Sequence, residues 1–281
     1  MIDVASITDC VVEGLKYPFN DLKKLLGVGV LFAIISTIST VASIKSFDII
    51  RTTAHIVENT NTTASHLSFS QLPAGDIYLV VGLGIVGFIV SLFILGYQYE
   101  VIKLSIEKKS DLPGFSDILG LFVKGIKYFI VVLAYNVIPT IVFVGGLMLV
   151  GDSSALLAVM LISMLLFIIA FFLMVMALNN MVAHDSLKKA FDLHEIIGNI
   201  ANLGWGKYIG IILFTIIVYM IIMVAVNFIL GFITVLFAAT ISNQAIVISI
   251  VIAIIEGLFV DSYGAIFYNR VCGSIYRESI K

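Results

Sequence analysis

Charge is what this sequence has least of. Only 12% of its 281 residues are Asp, Glu, Lys or Arg, against about 25% in a soluble domain. Such a chain cannot cover a water-facing surface. From Tyr208 to Ile255 there is no Asp, Glu, Lys or Arg. The net charge of −2 excludes the basic surplus of a nucleic-acid binder, so no nucleic acid is expected as a partner. Cysteine is scarce as well. Cys10 and Cys272 have no CxxC or CxxH neighbourhood, which offers neither a zinc site nor a disulfide framework. No HExxH, P-loop or serine-elbow pattern occurs, so the expectation is no enzyme, no metal and no cofactor. The first 24 residues are mixed and acidic, unlike a basic and then apolar leader, so the first apolar run reads as a membrane helix in its own right.

What the sequence does have is hydrocarbon. It is 60% hydrophobic with a mean hydropathy of +1.14, and its apolar runs are long enough to cross a bilayer, which takes about 20 helical residues. The fold expected is an all-α integral membrane protein, a single membrane domain over 1–281, with six transmembrane helices near 25–44, 77–102, 128–150, 155–178, 208–240 and 245–268. Polar residues separate them. A long extracytoplasmic loop is expected over 45–76, with a glycosylation sequon at Asn61. Ser242-Asn243-Gln244 divides the last uncharged stretch. Interfacial helices are expected over 1–24, ending at Tyr17-Pro18, and after Asp192, where Asp192-Leu-His-Glu195 fits a capping box.

Lys and Arg fix the expected orientation. The segments 1–24, 100–127, 179–207 and 270–281 together carry 14 of them, whereas 45–76 carries Lys45 and Arg51. By the positive-inside rule both termini are cytoplasmic and the protein resides in the cell membrane. The odd helices begin alike, at Gly14-Leu-Lys16-Tyr17, Gly125-Ile-Lys127-Tyr128 and Gly206-Lys207-Tyr208. Tyr99 to Ile106 is also similar to Tyr268 to Ile275. A threefold repeat of interfacial helix plus helical hairpin is expected over 1–106, 115–183 and 190–281. In it the glycine turns the chain, the lysine snorkels and the tyrosine anchors at the headgroups.

Gly96-Tyr97, Lys103, Leu112-Pro113-Gly114-Phe115, Leu121-Phe122, Gly125, Lys127 and Ile138-Pro139 form a pattern over about 45 residues. It resembles a family of uncharacterised archaeal and bacterial multi-pass membrane proteins classed as a domain of unknown function. The resemblance implies a location and an architecture but no activity.

Two sets of residues are candidates for function. Glu256 and Asp261 are acids well inside a span, where a lone carboxylate is costly. Asn227 and Asn136 are their possible partners, Asn227 being the first choice for Glu256. Gly257, Asp261, Gly264 and Tyr268 place Asp261 on a small-residue stripe facing another helix. The second set is the basic one: Lys103, Lys108, Lys109, Lys124, Lys127, Lys188, Lys189 and Lys207, expected to meet anionic lipid headgroups. Gly82-Leu-Gly84-Ile-Val-Gly87 is formally a dinucleotide fingerprint. It lies inside an apolar helix, so it reads as helix packing instead. The leading expectation is a lipid-interacting or partner-organising membrane scaffold, with protein partners or a second copy as further options. The alternative is a small transporter or channel using Glu256 and Asp261.

Overall fold

A computed structural model describes residues 4–60, 72–149, 153–240 and 245–281. In chain order the helices are α1 (Val4–Lys16), α2 (Leu22–Thr60), α3 (Ala74–Ile106), α4 (Ile118–Leu149), α5 (Ser153–His184), α6 (Leu193–Leu203), α7 (Trp205–Thr240), α8 (Ala245–Ile255) and α9 (Ser262–Ser279). Short 3₁₀ turns fill Tyr17–Asn20 and Leu187–Phe191, and a π-helical segment, Glu256–Asp261, joins α8 to α9. No strand occurs among the described residues. Six helices are long and apolar enough to cross a membrane, the last being α8, the π segment and α9 taken together. All six expected spans are therefore present.

The main departure lies at 45–60. Expected as loop, these residues continue α2 to Thr60. At about 1.5 Å per residue, this helix is close to 60 Å long, about twice the hydrocarbon thickness. Helical hydrogen bonding does not stop where the lipid does. Lys45 lies 3.6 Å from Asp48 one turn on and 3.2 Å from Asp76 at the start of α3, so charge continues what hydrocarbon began. Asn61 and the Ser242-Asn243-Gln244 turn lie outside the described residues. The break after Tyr17-Pro18 and the helix after Asp192 are where the sequence places them. The Asp192 carboxylate accepts the Glu195 amide at 3.3 Å, one half of the expected capping box.

The chain packs as two compact units. Unit 1 comprises Met1–Leu25, Leu95–Ile222 and Tyr263–Lys281. Its core holds Tyr99, Ile102, Tyr128, Met176, Met181, Ile196, Tyr208, Phe267, Val271 and Ile275, drawn from six helices. Here the helix-start tyrosines are corrected. Tyr17, Tyr128 and Tyr208 are buried among protein side chains instead of standing exposed as anchors. The Tyr17 hydroxyl donates to the Asp111 carbonyl at 2.7 Å, that of Tyr128 to Asn269 Oδ1 at 3.4 Å and that of Tyr208 to the Phe172 carbonyl at 2.6 Å. An internal acceptor satisfies a phenol in the core, which is what an apolar ring with a polar tip needs there. Gly14 likewise does not turn the chain. It lies within α1, where a Cβ would come within 2.5 Å of Val271 Cγ2 and so hold α1 off α9. The two similar stretches, 99–106 and 268–275, meet each other: Ser105 Oγ and Ser274 Oγ lie 3.2 Å apart.

Unit 2 comprises Leu26–Ile94 and Met223–Ser262. Two glycines bring its backbones into contact. A Cβ on Gly29 of α2 would run into the Leu258 carbonyl, and one on Gly257 into the backbone of Ala33. Such close approach is how helices associate in lipid, where apolar burial gives little driving force. Of the Gly82, Gly84, Gly87 motif, Gly87 packs against Ile35 and Ile38, whereas a Cβ on Gly82 or Gly84 would meet nothing within 4 Å among the described residues.

Candidate functional site

The four lysine-bearing segments converge at one end of unit 1, and the joint is ionic. Glu13 on α1 takes both arginines of α9. Arg270 Nε lies 2.9 Å and its terminal nitrogen 2.7 Å from Glu13 Oε1, and Arg277 lies 2.7 Å from Oε2. Arg270 also donates to the Lys109 carbonyl at 2.7 Å and stacks over the Tyr17 ring at 4.1 Å. Arg277 donates to the Ser105 carbonyl at 3.0 Å. The arginine side chains are 5% and 14% exposed and Glu13 is 32% exposed. Burial raises the Glu13 pKa, but the Arg277 hydrogen bond and the charges of Arg277 and Arg270 outweigh it and hold the carboxyl below its ordinary value. One carboxylate thus ties together the first helix, the last helix and the 105–112 connection.

A second joint lies at the start of the 185–204 connection. Asp185 accepts from the Tyr99 hydroxyl at 2.7 Å and from Lys127 Nζ at 3.0 Å, and these two, in that order, hold its carboxyl below the usual range. Buried Asn180 donates to the Lys189 carbonyl at 2.9 Å and accepts from the Tyr276 hydroxyl at 3.0 Å. His184 Nε2 lies 3.5 Å from Glu195 Oε1. Asp185 and Lys108 have left-handed backbones, φ 46° and 59°. They close α5 and α3 in the same way, the next amide reaching back to Met181 O at 3.1 Å and to Leu104 O at 2.9 Å. That is the six-to-one bond of a helix-ending αL turn, which usually falls on glycine.

This geometry sorts the candidate lysines. Lys124 pairs with Glu100 at 2.7 Å, Lys109 with Glu107 at 2.7 Å, Lys127 with Asp185, and Lys189 with Asp192 and Glu195. Their charge is largely answered within the protein. Lys16, Lys23, Lys108 and Lys188 are exposed, and Lys103 and Lys207 are half-exposed; none of the six forms an ion pair among the described residues. Large apolar side chains lie exposed next to them in sequence. Phe19 is 63% exposed beside Leu22 and Lys23, Phe191 and Leu193 follow Lys188, and Trp205 precedes Lys207.

The intramembrane candidates are dispersed. Asn136 belongs to unit 1, where it donates to the Val132 carbonyl at 2.8 Å and lies 3.7 Å from Met174 Sδ. Asn227, Glu256 and Asp261 belong to unit 2. Asn227 is exposed and donates to Met223 of its own helix at 2.9 Å. The expected Asn227–Glu256 pair is therefore not formed, because an amide in a helix finds its nearest acceptor one turn back. Asp261 instead accepts from Ser36 Oγ of α2 at 3.1 Å. The π segment runs from Glu256 to Asp261, which sets the two half-buried acids one π-turn apart.

A family model described as "Protein of unknown function (DUF4013)" matches residues 79–231, more than half of the chain. The chain belongs to the DUF4013 family. No curated protein and no solved structure matches it. The DUF4013 match contains the 96–139 pattern noted in the sequence. Glu13, Arg270, Arg277, Glu256 and Asp261 lie outside it.

In the sequence, Arg270 and Arg277 count only among the topology charges, and Glu13 is not singled out. The available signal was chemical. Two arginines seven positions apart, two helical turns, share one face of the last helix and need a partner there.

Proposed function

We propose that this DUF4013 protein is a lipid-interacting membrane protein whose lysine-bearing end docks on the anionic inner leaflet, with both termini cytoplasmic. The observation that carries this reading is the pairing of exposed apolar side chains with unneutralised lysines on interfacial segments: Phe19 and Leu22 with Lys23, Phe191 and Leu193 with Lys188, and Trp205 with Lys207. Apolar anchors seated at the acyl boundary and cations at the headgroup level are the two contributions that bind interfacial helices. Each lysine near an anionic surface adds about 1 kcal/mol. The ionic joints hold these segments to the spans, so that lipid contacts and bundle form one body at this end.

The test is the lipid shell. The purified protein in nanodiscs of mixed phosphatidylglycerol and phosphatidylcholine is compared with a Lys23→Gln/Lys108→Gln/Lys188→Gln variant by lipid co-purification. With three lysines at about 1 kcal/mol each, about 3 kcal/mol together, anionic preference should fall roughly 100-fold in the triple variant. Lys109→Gln, which removes a cation already answered by Glu107, should change little. Equal loss from Lys109→Gln, or no loss from the triple variant, overturns the reading.

One observation favours a second reading, a small transporter or channel using Glu256 and Asp261. The π turn puts them in one stretch of span, and π-bulges recur at functional sites. Glu256→Gln in a folded protein that loses proton-coupled flux in proteoliposomes would establish it. A lack of flux in the unaltered protein would end it.

A further inference from the structure

A cleft of about 690 Å³ opens on the flank of unit 1 between α4, α5 and α7. Phe143, Met160, Met164, Phe167, Phe171 and Leu213 are among its apolar walls. Ser163, 1% exposed, is the polar side chain that lines it. Met160, Ser163, Phe167 and Phe171 follow helical spacing along α5, so one face of that helix forms the base of the cleft.

Ser163 breaks a pattern. Hydroxyls in these spans generally donate one turn back to their own helix: Thr37 to Ala33, Thr40 to Ser36, Ser91 to Gly87, Thr215 to Ile211, Thr234 to Leu230 and Ser262 to Leu258, all at 2.7–2.8 Å. Ser163 Oγ has no hydrogen-bond partner among the described residues. A buried hydroxyl left unpaired is costly, and the backbone solution was one turn away. The volume is that of a small-molecule site. Several of the walls are exposed side chains on helices that face hydrocarbon, so what reaches the cleft arrives from the bilayer.

We propose that this cleft binds the chain of a long-chain acyl lipid, whose carbonyl oxygen accepts a hydrogen bond from Ser163 Oγ. The chain lies along the phenylalanines, and Met160 and Met164, unbranched and adaptable, close over it. The inference needs the helices to span a membrane, but not the charged end to meet anionic lipid. The two readings can therefore fail separately.

The experiment uses the full-length protein in nanodiscs of uncharged ether lipid, with a photoactivatable diazirine fatty acid as probe. Crosslinks should map to the 160–172 face of α5 and to Leu213–Ile216. Oleic acid should compete, and a hydrocarbon of the same chain length without a carbonyl should compete about tenfold more weakly, the worth of one hydrogen bond in a dry site. Ser163→Ala should weaken competition by oleic acid by about the same factor while raising the thermal midpoint of the nanodisc protein without added fatty acid, since it deletes an unpaired buried hydroxyl. A purely structural serine would not move binding and stability in opposite directions. Ser91→Ala, whose hydroxyl is already committed to Gly87, should leave labelling unchanged. Labelling spread evenly over all lipid-facing helices, equal competition by the bare hydrocarbon, or unchanged affinity in Ser163→Ala would each overturn the proposal.

Discussion

Glu13→Gln tests whether charge holds the two ends of the chain together. The substitution keeps the shape of the side chain and removes the carboxylate that pairs with both Arg270 and Arg277 among the described residues. Breaking a fully buried pair costs about 3–5 kcal/mol. Glu13 is 32% exposed, so water screens part of the interaction, and about 2–3 kcal/mol is expected. That is a roughly 30- to 140-fold rise in the population with α1 detached from α9. Cys10, on α1, reports it. It is buried, and burial is the main reason its thiol is pushed up to about 11, so it should react slowly with maleimide in the unaltered protein. In a Cys272→Ala background, where Cys10 is the single thiol, Glu13→Gln should speed its labelling by tens of times at neutral pH and lower the thermal midpoint. The sign with pH follows from the depressed carboxyl. Its contribution is fully present above the unfolded value of 4.5 and is lost as pH falls through the lower folded value. Acid should therefore lower the midpoint of the unaltered protein more than that of Glu13→Gln. Unchanged Cys10 labelling in Glu13→Gln would refute the reasoning.

Gly96→Ala should cost at least 1–3 kcal/mol, because the new Cβ would run into the Leu121 carbonyl and backbone cannot yield as a flexible side chain does; a thermal midpoint that does not move would contradict this. Gly257→Ala in unit 2 should behave alike against the Ala33 backbone. Lys108→Gly should stabilise by about 0.5–1 kcal/mol, since its φ of 59° suits glycine and its side chain is exposed; a fall in the midpoint would show a contact for Lys108 that the geometry lacks. Single cysteines at positions 108 and 188 should label from the same side of sealed vesicles and one at Thr52 from the other; labelling of positions 52 and 108 from one side would sink the six-span topology.

What was legible in the sequence was whatever depends on neighbours along the chain. Runs such as Leu25–Ile44 must be spans because nothing else solvates 20 apolar residues, and Asp192 caps α6 because a cap is read three residues away. The failures share one cause. α2 outruns the expected span because hydropathy reports where lipid ends, whereas Thr60 is reached by backbone hydrogen bonds and by Lys45 meeting Asp76. The helix-start tyrosines read as headgroup anchors because an aromatic beside a lysine at a span end has the same local pattern whether its ring faces lipid or protein. Only the carbonyls of Asp111 and Phe172 and the amide of Asn269 decide between them, and none of the three is close in sequence. Glu13 is the limiting case. It meets Arg270 across 257 residues, and on α1 it reads as one more polar residue off the apolar face. The π segment is a similar case. Its six residues follow an ordinary apolar period, yet the backbone there must fit Gly29 and Ala33 of a helix more than 200 positions away. The close approach and the widened turn fall on the same residues, and neither leaves a mark on the pattern that predicts the helix.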